Sequence, residues 1–353
     1  MAYTGTGTEA DPYLVDNITD FCTCVNISTG AFVKLTADID CTNAPITGTG
    51  EIIILGDVTI DGDGHSLNNL TKIVTNIDRN GGYSIFNIPN NNYQDSVAIF
   101  KNININILYV FNNYADQNSH VYLFRAGYYR NNASFDNCDI KIKMYLSNLQ
   151  PSSSYFSTLS DIFFDTNNTK AILRNCNFLM DIYLITASNL INSIVAGNFY
   201  DSIIKINIYD PMGWGKKLTG IFTKETGQYG YSGAIDGSTI DNCGVFITYN
   251  ADIDMVTDNE YISIIARSTI VNSYFIYENV GNVSITPFIY STYFLTYAFY
   301  DITKAPNLIK NRCTYHFDSS QFMGLTTNQC KTRSTFEGPT AVLPFKLKQS
   351  VEP

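Results

Sequence analysis

Apolar and polar residues alternate along this chain in short runs, and the runs return in one register. Phe135-x-Asn137-Cys138-x-Ile140-x-Ile142 has the same pattern as Leu173-x-Asn175-Cys176-x-Phe178-x-Met180. Further copies are Phe100-x-Asn102-Ile103-x-Ile105-x-Ile107, Phe199-x-Asp201-Ser202-x-Ile204-x-Ile206, Ile240-x-Asn242-Cys243-x-Val245-x-Ile247 and Ile270-x-Asn272-Ser273-x-Phe275-x-Tyr277. A slipped copy follows at Ile309-x-Asn311-Arg312-Cys313-x-Tyr315-x-Phe317. The period-two tail predicts a strand with one buried face, and the apolar residue before the Asn ends another strand. Asn and Asp tolerate the left-handed backbone region better than other residues that carry a side chain. Asn102, Asn137, Asn175, Asp201, Asn242, Asn272 and Asn311 are therefore read as the corners of successive coils, forming a ladder beside a column of inward Cys, Ser or Ile residues.

A further strand is predicted before each corner, at Ser84-Ile85-Phe86, Tyr122-Leu123-Phe124, Asp161-Ile162-Phe163-Phe164, Gly220-Ile221-Phe222, Ser263-Ile264-Ile265 and Pro287-Phe288-Ile289. The corners are spaced 35, 38, 26, 41, 30 and 39 residues apart, too irregular for repeats of fixed period. Loops of varying length on a constant coil account for that spread. An antiparallel sandwich has no need of the same corner in every repeat, and tight Asn-Gly hairpins are nearly absent. The expected fold is all-β: a single-stranded right-handed parallel β-helix, a solenoid, with a short helical N-terminal cap. Its divisions are 1–50 for the cap and first strands, 51–318 for the β-helix, and 319–353 for a C-terminal cap and tail.

Open coil ends expose apolar side chains and strand edges, so a solenoid requires caps. Asp16 is placed to N-cap a helix whose Ile18, Phe21, Cys22 and Val25 form one apolar stripe. Phe32 to Asp40 and Val58 to Leu67 read as strands separated by Gly-rich turns.

Composition narrows the function. Charged residues are 15% of the 353-residue chain, and Asn, Thr, Ser and Tyr do the solvating. Such a surface favours fixed contacts with proteins or glycans. The formal charge is −10 and no basic run exceeds Lys216-Lys217, which excludes a nucleic-acid footprint. Met1 to Gly7 has no basic or apolar signal region, and no stretch of 18 apolar residues follows, so neither Sec export nor membrane insertion is expected. The eight cysteines are then expected to be free thiols, buried for packing.

Gly5-Thr6-Gly7-Thr8-Glu9-Ala10-Asp11-Pro12-Tyr13-Leu14-Val15, the Leu35-Thr36-Ala37-Asp38-Ile39 strand and Ile60-Asp61-Gly62-Asp63-Gly64-His65 resemble the opening of pectin-lyase-like right-handed β-helices on bacteriophage particles and bacterial surfaces. Gly324 to Cys330 and Ser334-Thr335-Phe336 are similar to a segment of bacterial surface proteins of that kind. The resemblance implies a structural protein of a virion: a head fibre, capsid decoration or tail appendage, made in the host cytoplasm. It also implies contacts with other virion proteins, a homo-oligomer with a trimer favoured, and contact with a host-surface glycan or protein. The same superfamily includes polysaccharide lyases and hydrolases, so a depolymerase is the alternative, and a non-phage bacterial adhesin is a second.

Chemistry is sparse in the sequence. Asp57, Asp61 and Asp63 cluster near His65 without calcium-loop spacing, and read as a Gly-rich turn. His65, His120 and His316 are far apart, and no metal, cofactor or catalytic residue is assigned. Paired carboxylates on adjacent coils would escape a reading in sequence order. Candidate contact residues are Tyr209, Trp214, Tyr229 and Tyr231, read as a projecting loop in the longest interval between corners, with Tyr128 and Tyr129 as a second aromatic site.

Overall fold

A computed structural model describes residues 3–46, 50–74, 82–88, 96–112, 120–126, 132–147, 171–184, 197–210, 235–236, 239–251, 265–266, 269–280, 289–290, 294–296, 298–301, 322–326 and 328–329. All strand pairings between its named strands are parallel. The chain returns to the same sheets once per coil. A corner sheet takes one strand per coil from Tyr13–Val15 to Phe294–Thr296, and a long sheet takes the strand that follows each corner, from Ile39–Asp40 to Phe322–Leu325. A third side is built from Ile52–Ile53, Gly82–Ile88 and His120–Ala126, and further along from Ile235–Asp236, Ile265–Ala266 and Ile289–Tyr290. The predicted strands around Ile85, Leu123, Ile265 and Ile289 lie on this side. Those at Asp161 to Phe164 and Gly220 to Phe222 lie outside the described residues.

The repeat is in register as the alternation demands. Val33, Ile60, Phe100, Phe135, Leu173, Phe199, Ile240, Ile270 and Leu295 are successive Cα partners in the corner sheet. Ile105, Ile140, Phe178, Ile204, Val245 and Phe275 do the same in the long sheet, all buried. With strands about 4.8 Å apart, equal side chains stack at contact distance. Phe100 and Phe135 stack with ring centroids 5.2 Å apart, and Phe86 meets Phe100 edge-on at 5.4 Å.

The corner residues are left-handed: Asn102, Asn137, Asn175, Asp201, Asn242 and Asn272 have φ between 46° and 54°. Hydrogen bonding does not lapse there, since Asn137 N donates to Arg174 O at 2.9 Å and Asn175 N to Tyr200 O at 3.1 Å. The amide ladder runs from Asn137 Nδ2 to Asn102 Oδ1 at 2.9 Å and from Asn102 Nδ2 to Asp61 Oδ1 at 3.1 Å. Asn175 donates instead to Asp136 Oδ1, because the aspartate before the corner offers a stronger acceptor. The residues that follow, Ile103, Cys138, Cys176, Ser202, Cys243 and Ser273, all point inward and are buried. Ser202 and Ser273 are accommodated because each hydroxyl donates to a carbonyl at 2.7 Å and accepts an amide of the preceding coil at 3.1 Å. Asn311 lies outside the described residues.

The cap helix spans Ile18–Val25, and its N-cap is Asn17 rather than Asp16. Asn17 Oδ1 accepts from Asp20 N at 3.0 Å while its Nδ2 donates to Asp20 Oδ2, so one side chain serves both ends of the first turn. The buried stripe is Ile18, Phe21, Cys24 and Val25; Cys22 is half-buried on the flank.

One irregularity lies in the strand Ser66–Val74, whose register to the next coil shifts between Leu67 and Leu70. Asn69, at φ 60°, is the bulged residue. The extra residue reverses which face the rest of the strand presents. Lys72 turns inward and is fully buried beside Tyr109, while Ile73 is 46% exposed. Lys72 Nζ donates to Gly50 O at 2.5 Å, and burial lowers its pKa to about 8, with Glu51 opposing the shift. The Glu51 carboxylate in turn accepts from Ser84 Oγ and from Asn87 Nδ2.

Candidate functional site

The outward face of the long sheet holds the most organised half-buried aromatic group among the described residues. Eight residues past each corner the backbone points outward, and Tyr145, Tyr183 and Tyr209 fall at that position in neighbouring coils. Their rings stack at 4.8 Å and 21° for Tyr145 and Tyr183, and at 4.6 Å and 9° for Tyr183 and Tyr209. The coil spacing itself sets that separation, so the ring faces within the stack are spent on one another. The stack therefore presents ring edges and a row of phenolic ends. Val110 and the exposed Ile73 continue the column in the preceding coils.

The neighbouring outward column is polar. Lys143 Nζ lies 5.8 Å from the Tyr145 ring centroid and 5.4 Å from that of Tyr183. A hydrogen bond to Tyr145, then the nearby Tyr183, raise its pKa. Asn207 Nδ2 donates to Asp181 Oδ1 at 2.8 Å in this column, and in another outward column, four residues nearer the corner, Asn177 Nδ2 donates to Asp139 Oδ1 at 2.7 Å. Desolvation raises the Tyr209 pKa, with Asp181 adding to the effect. Further round, Lys205 covers the Phe246 ring at 5.4 Å. Each tyrosine hydroxyl can donate and accept, each ring edge offers apolar area, and Lys143 adds a cation. These are the elements of a contact surface for protein or glycan.

Tyr209 thus sits on the sheet and not in a projecting loop, because the strand Ile203–Asp210 continues past it. Trp214, Tyr229, Tyr231, Tyr128 and Tyr129 lie outside the described residues. Tyr145 and Tyr183 are not among the contact residues expected from the sequence; their shared offset of eight residues from Asn137 and Asn175 gains meaning only once the coils are stacked.

The acidic turn is occupied by its own contacts. Asp61 Oδ1 accepts from Asp63 N and Asn102 Nδ2, Asp63 pairs with Lys34 at 2.9 Å, and Asp57 Oδ1 accepts from Val97 N. Gly62 is required there, since a Cβ would come within 2.5 Å of Asn102 O. Carboxylates on adjacent coils meet at Asp201 and Asp241, where desolvation and then Asp201 raise the Asp241 pKa. Both are held by corner amides, Asp201 by Asn242 and Asp241 by Asn272, which makes the pair part of the ladder. A cleft of about 510 Å³ lies on the cap, lined by Ile18, Cys22, Asn26, Asn43 and Pro45 among others. Burial pushes the Cys22 thiol up to about 11, which keeps it protonated and a poor nucleophile.

No family model, curated protein or solved structure matches the chain.

Proposed function

We propose that this chain is a structural protein of a bacteriophage virion, a head fibre, capsid decoration or tail appendage, which uses the outer face of its long sheet for contact. The observation that carries the reading is the stacked column of Tyr145, Tyr183 and Tyr209 beside Lys143 on a stack of parallel strands. Rings already held by their neighbours lose little conformational entropy when a partner covers them, which is how rigid aromatic contacts gain affinity. A chain in which only 15% of residues are charged supports a protein that spends its life in assembly contacts. The resemblance of Gly5 to Val15 and Ile60 to His65 to the openings of phage-borne β-helices supports placement on a particle. Partners in this reading are other virion proteins, further copies of the chain and a host-surface glycan.

Quantitative mass spectrometry of density-purified virions tests it. The reading predicts the chain at a fixed copy number relative to the major capsid protein. Its absence from infectious particles that carry the gene refutes it.

A further inference from the structure

The outward face of the long sheet departs from the alternation of a solvated strand. A strand with one buried face reads polar on the other. Here Leu108, Val110, Leu179, Ile203 and Phe246 point outward beside the three tyrosines, and Ile73 is exposed in the same face. Contiguous apolar area of that kind marks an interaction surface.

The charges on this face are few, and their placement is self-complementary. Lys143 and Asp181 are Cα partners in the neighbouring strands Asp139–Ser147 and Asn177–Leu184, in the column next to the tyrosines. A two-fold axis lying in the face, parallel to these strands and midway between them, sets a second copy face to face with its coils in reverse order. Each outward column then meets itself. Lys143 faces the partner's Asp181 and Asp181 faces the partner's Lys143, so four charges alternate in sign around the axis. Tyr145 meets the partner's Tyr183, and one coil further out Val110 is covered by the partner's Tyr209 while Lys205 meets the partner's Asn106. Among the described outward positions from Ser66–Val74 to Gly244–Ala251, no two like charges meet across this axis. An axis on either central strand sets Lys143 against Lys143 or Asp181 against Asp181, so the charges select the midpoint. Six strands about 4.8 Å apart, each offering about 23 Å of length, give a footprint of about 700 Å² per copy. The total of about 1,400 Å² lies within the range of stable interfaces.

We infer that this face is a two-fold interface between two antiparallel copies of the chain, centred on reciprocal Lys143 and Asp181 pairs. The inference rests on the reading of this face as the contact surface of the protein, and assigns that surface to a second copy. Sheet faces pack about 10 Å apart, a gap that outward tyrosine and leucine side chains fill.

Analytical ultracentrifugation of the full chain tests it, and is expected to give twice the 39.4 kDa chain mass. Lys143→Asp and Asp181→Lys each set like charges opposite one another, so each variant is expected to sediment as a monomer with an unchanged far-UV circular dichroism spectrum. An equimolar mixture of the two variants is expected to restore the dimer, because one chain then brings two acids to the axis and the other two bases. Oxidative cross-linking, with Cys22, Cys313 and Cys330 replaced by serine, reads the orientation. Chains carrying Val110→Cys mixed with chains carrying Tyr209→Cys are expected to give a disulfide-linked dimer, and neither variant alone is. A full chain that sediments as a monomer or a trimer overturns the inference, as does a variant mixture that stays monomeric or a cross-link from Val110→Cys alone. Any of these beside a fixed copy number in virions overturns the dimer alone, and leaves the face to a glycan or another virion protein.

Discussion

Asn137 is the corner where the account is most exposed to test. Its φ is 54°, its side chain donates to Asn102 at 2.9 Å, and the coil on either side is well packed. Asn137→Gly and Asn137→Ala both delete that amide, a loss of about 0.5–1.5 kcal/mol. Alanine adds about 1–2 kcal/mol for holding a Cβ in the left-handed region. Glycine escapes that strain but costs about 0.5–1 kcal/mol more in unfolded-chain entropy. Alanine should therefore be the worse replacement by about 1 kcal/mol, a factor of about five in the unfolding constant, with a total loss of about 2–3 kcal/mol. Urea unfolding followed by far-UV circular dichroism measures the order, with Asn104→Ala as a control outside the left-handed region. Equal midpoints for glycine and alanine, or a milder alanine, would refute left-handed strain as the reason for the recurring Asn.

Further predictions follow from burial and charge. Phe135→Ala removes a buried ring stacked on Phe100 and should cost about 3–5 kcal/mol in the same unfolding assay. Tyr183→Ala breaks both stacks of the outer column, so stability should fall by about 1–2 kcal/mol and attachment to virion or host in a pull-down should be lost. The folded-state pKa of Lys72 is about 8, below its ordinary 10.5, so the unfolded chain binds more protons and Lys72 makes stability rise from about pH 8 upward. Comparing thermal midpoints of the protein and Lys72→Met between pH 7.5 and 9 isolates that rise, which the variant should lack. Above pH 9 the sign reverses, because Cys22 and Cys24, at about 11, and Cys41 and Cys243, at about 12, keep protons that the unfolded chain releases.

The corners were legible because one backbone requirement, a left-handed residue between two strands, selects Asn or Asp and leaves a visible mark each time. The inward column followed from the same register, as did the long-sheet face that carries Ile140, Phe178 and Ile204. The bulge at Asn69 left no such mark, since Leu67-Asn68-Asn69-Leu70 reads equally well as an outward slip or a turn. Its consequence, a buried Lys72 and an exposed Ile73, contradicts any reading by hydropathy alone. The N-cap was misplaced by one residue because Asp16 and Asn17 are both good caps, and only the bond from Asp20 N distinguishes them. The tyrosine column is a different case. Tyr145, Tyr183 and Tyr209 are distant in sequence and ordinary one at a time, and only their position in stacked coils makes them a surface.

The stacked register is the central claim, and Lys141 and Leu179 test it most directly, being outward Cα partners in neighbouring coils. With Cys22, Cys313 and Cys330 replaced by serine and the buried thiols left in place, Lys141→Cys with Leu179→Cys is labelled with pyrene maleimide. The account predicts strong excimer emission from this pair and none from Lys141→Cys with Tyr183→Cys, which the register separates by about 13 Å along the strand. Excimer emission from the offset pair, or from neither pair, contradicts the stacked register.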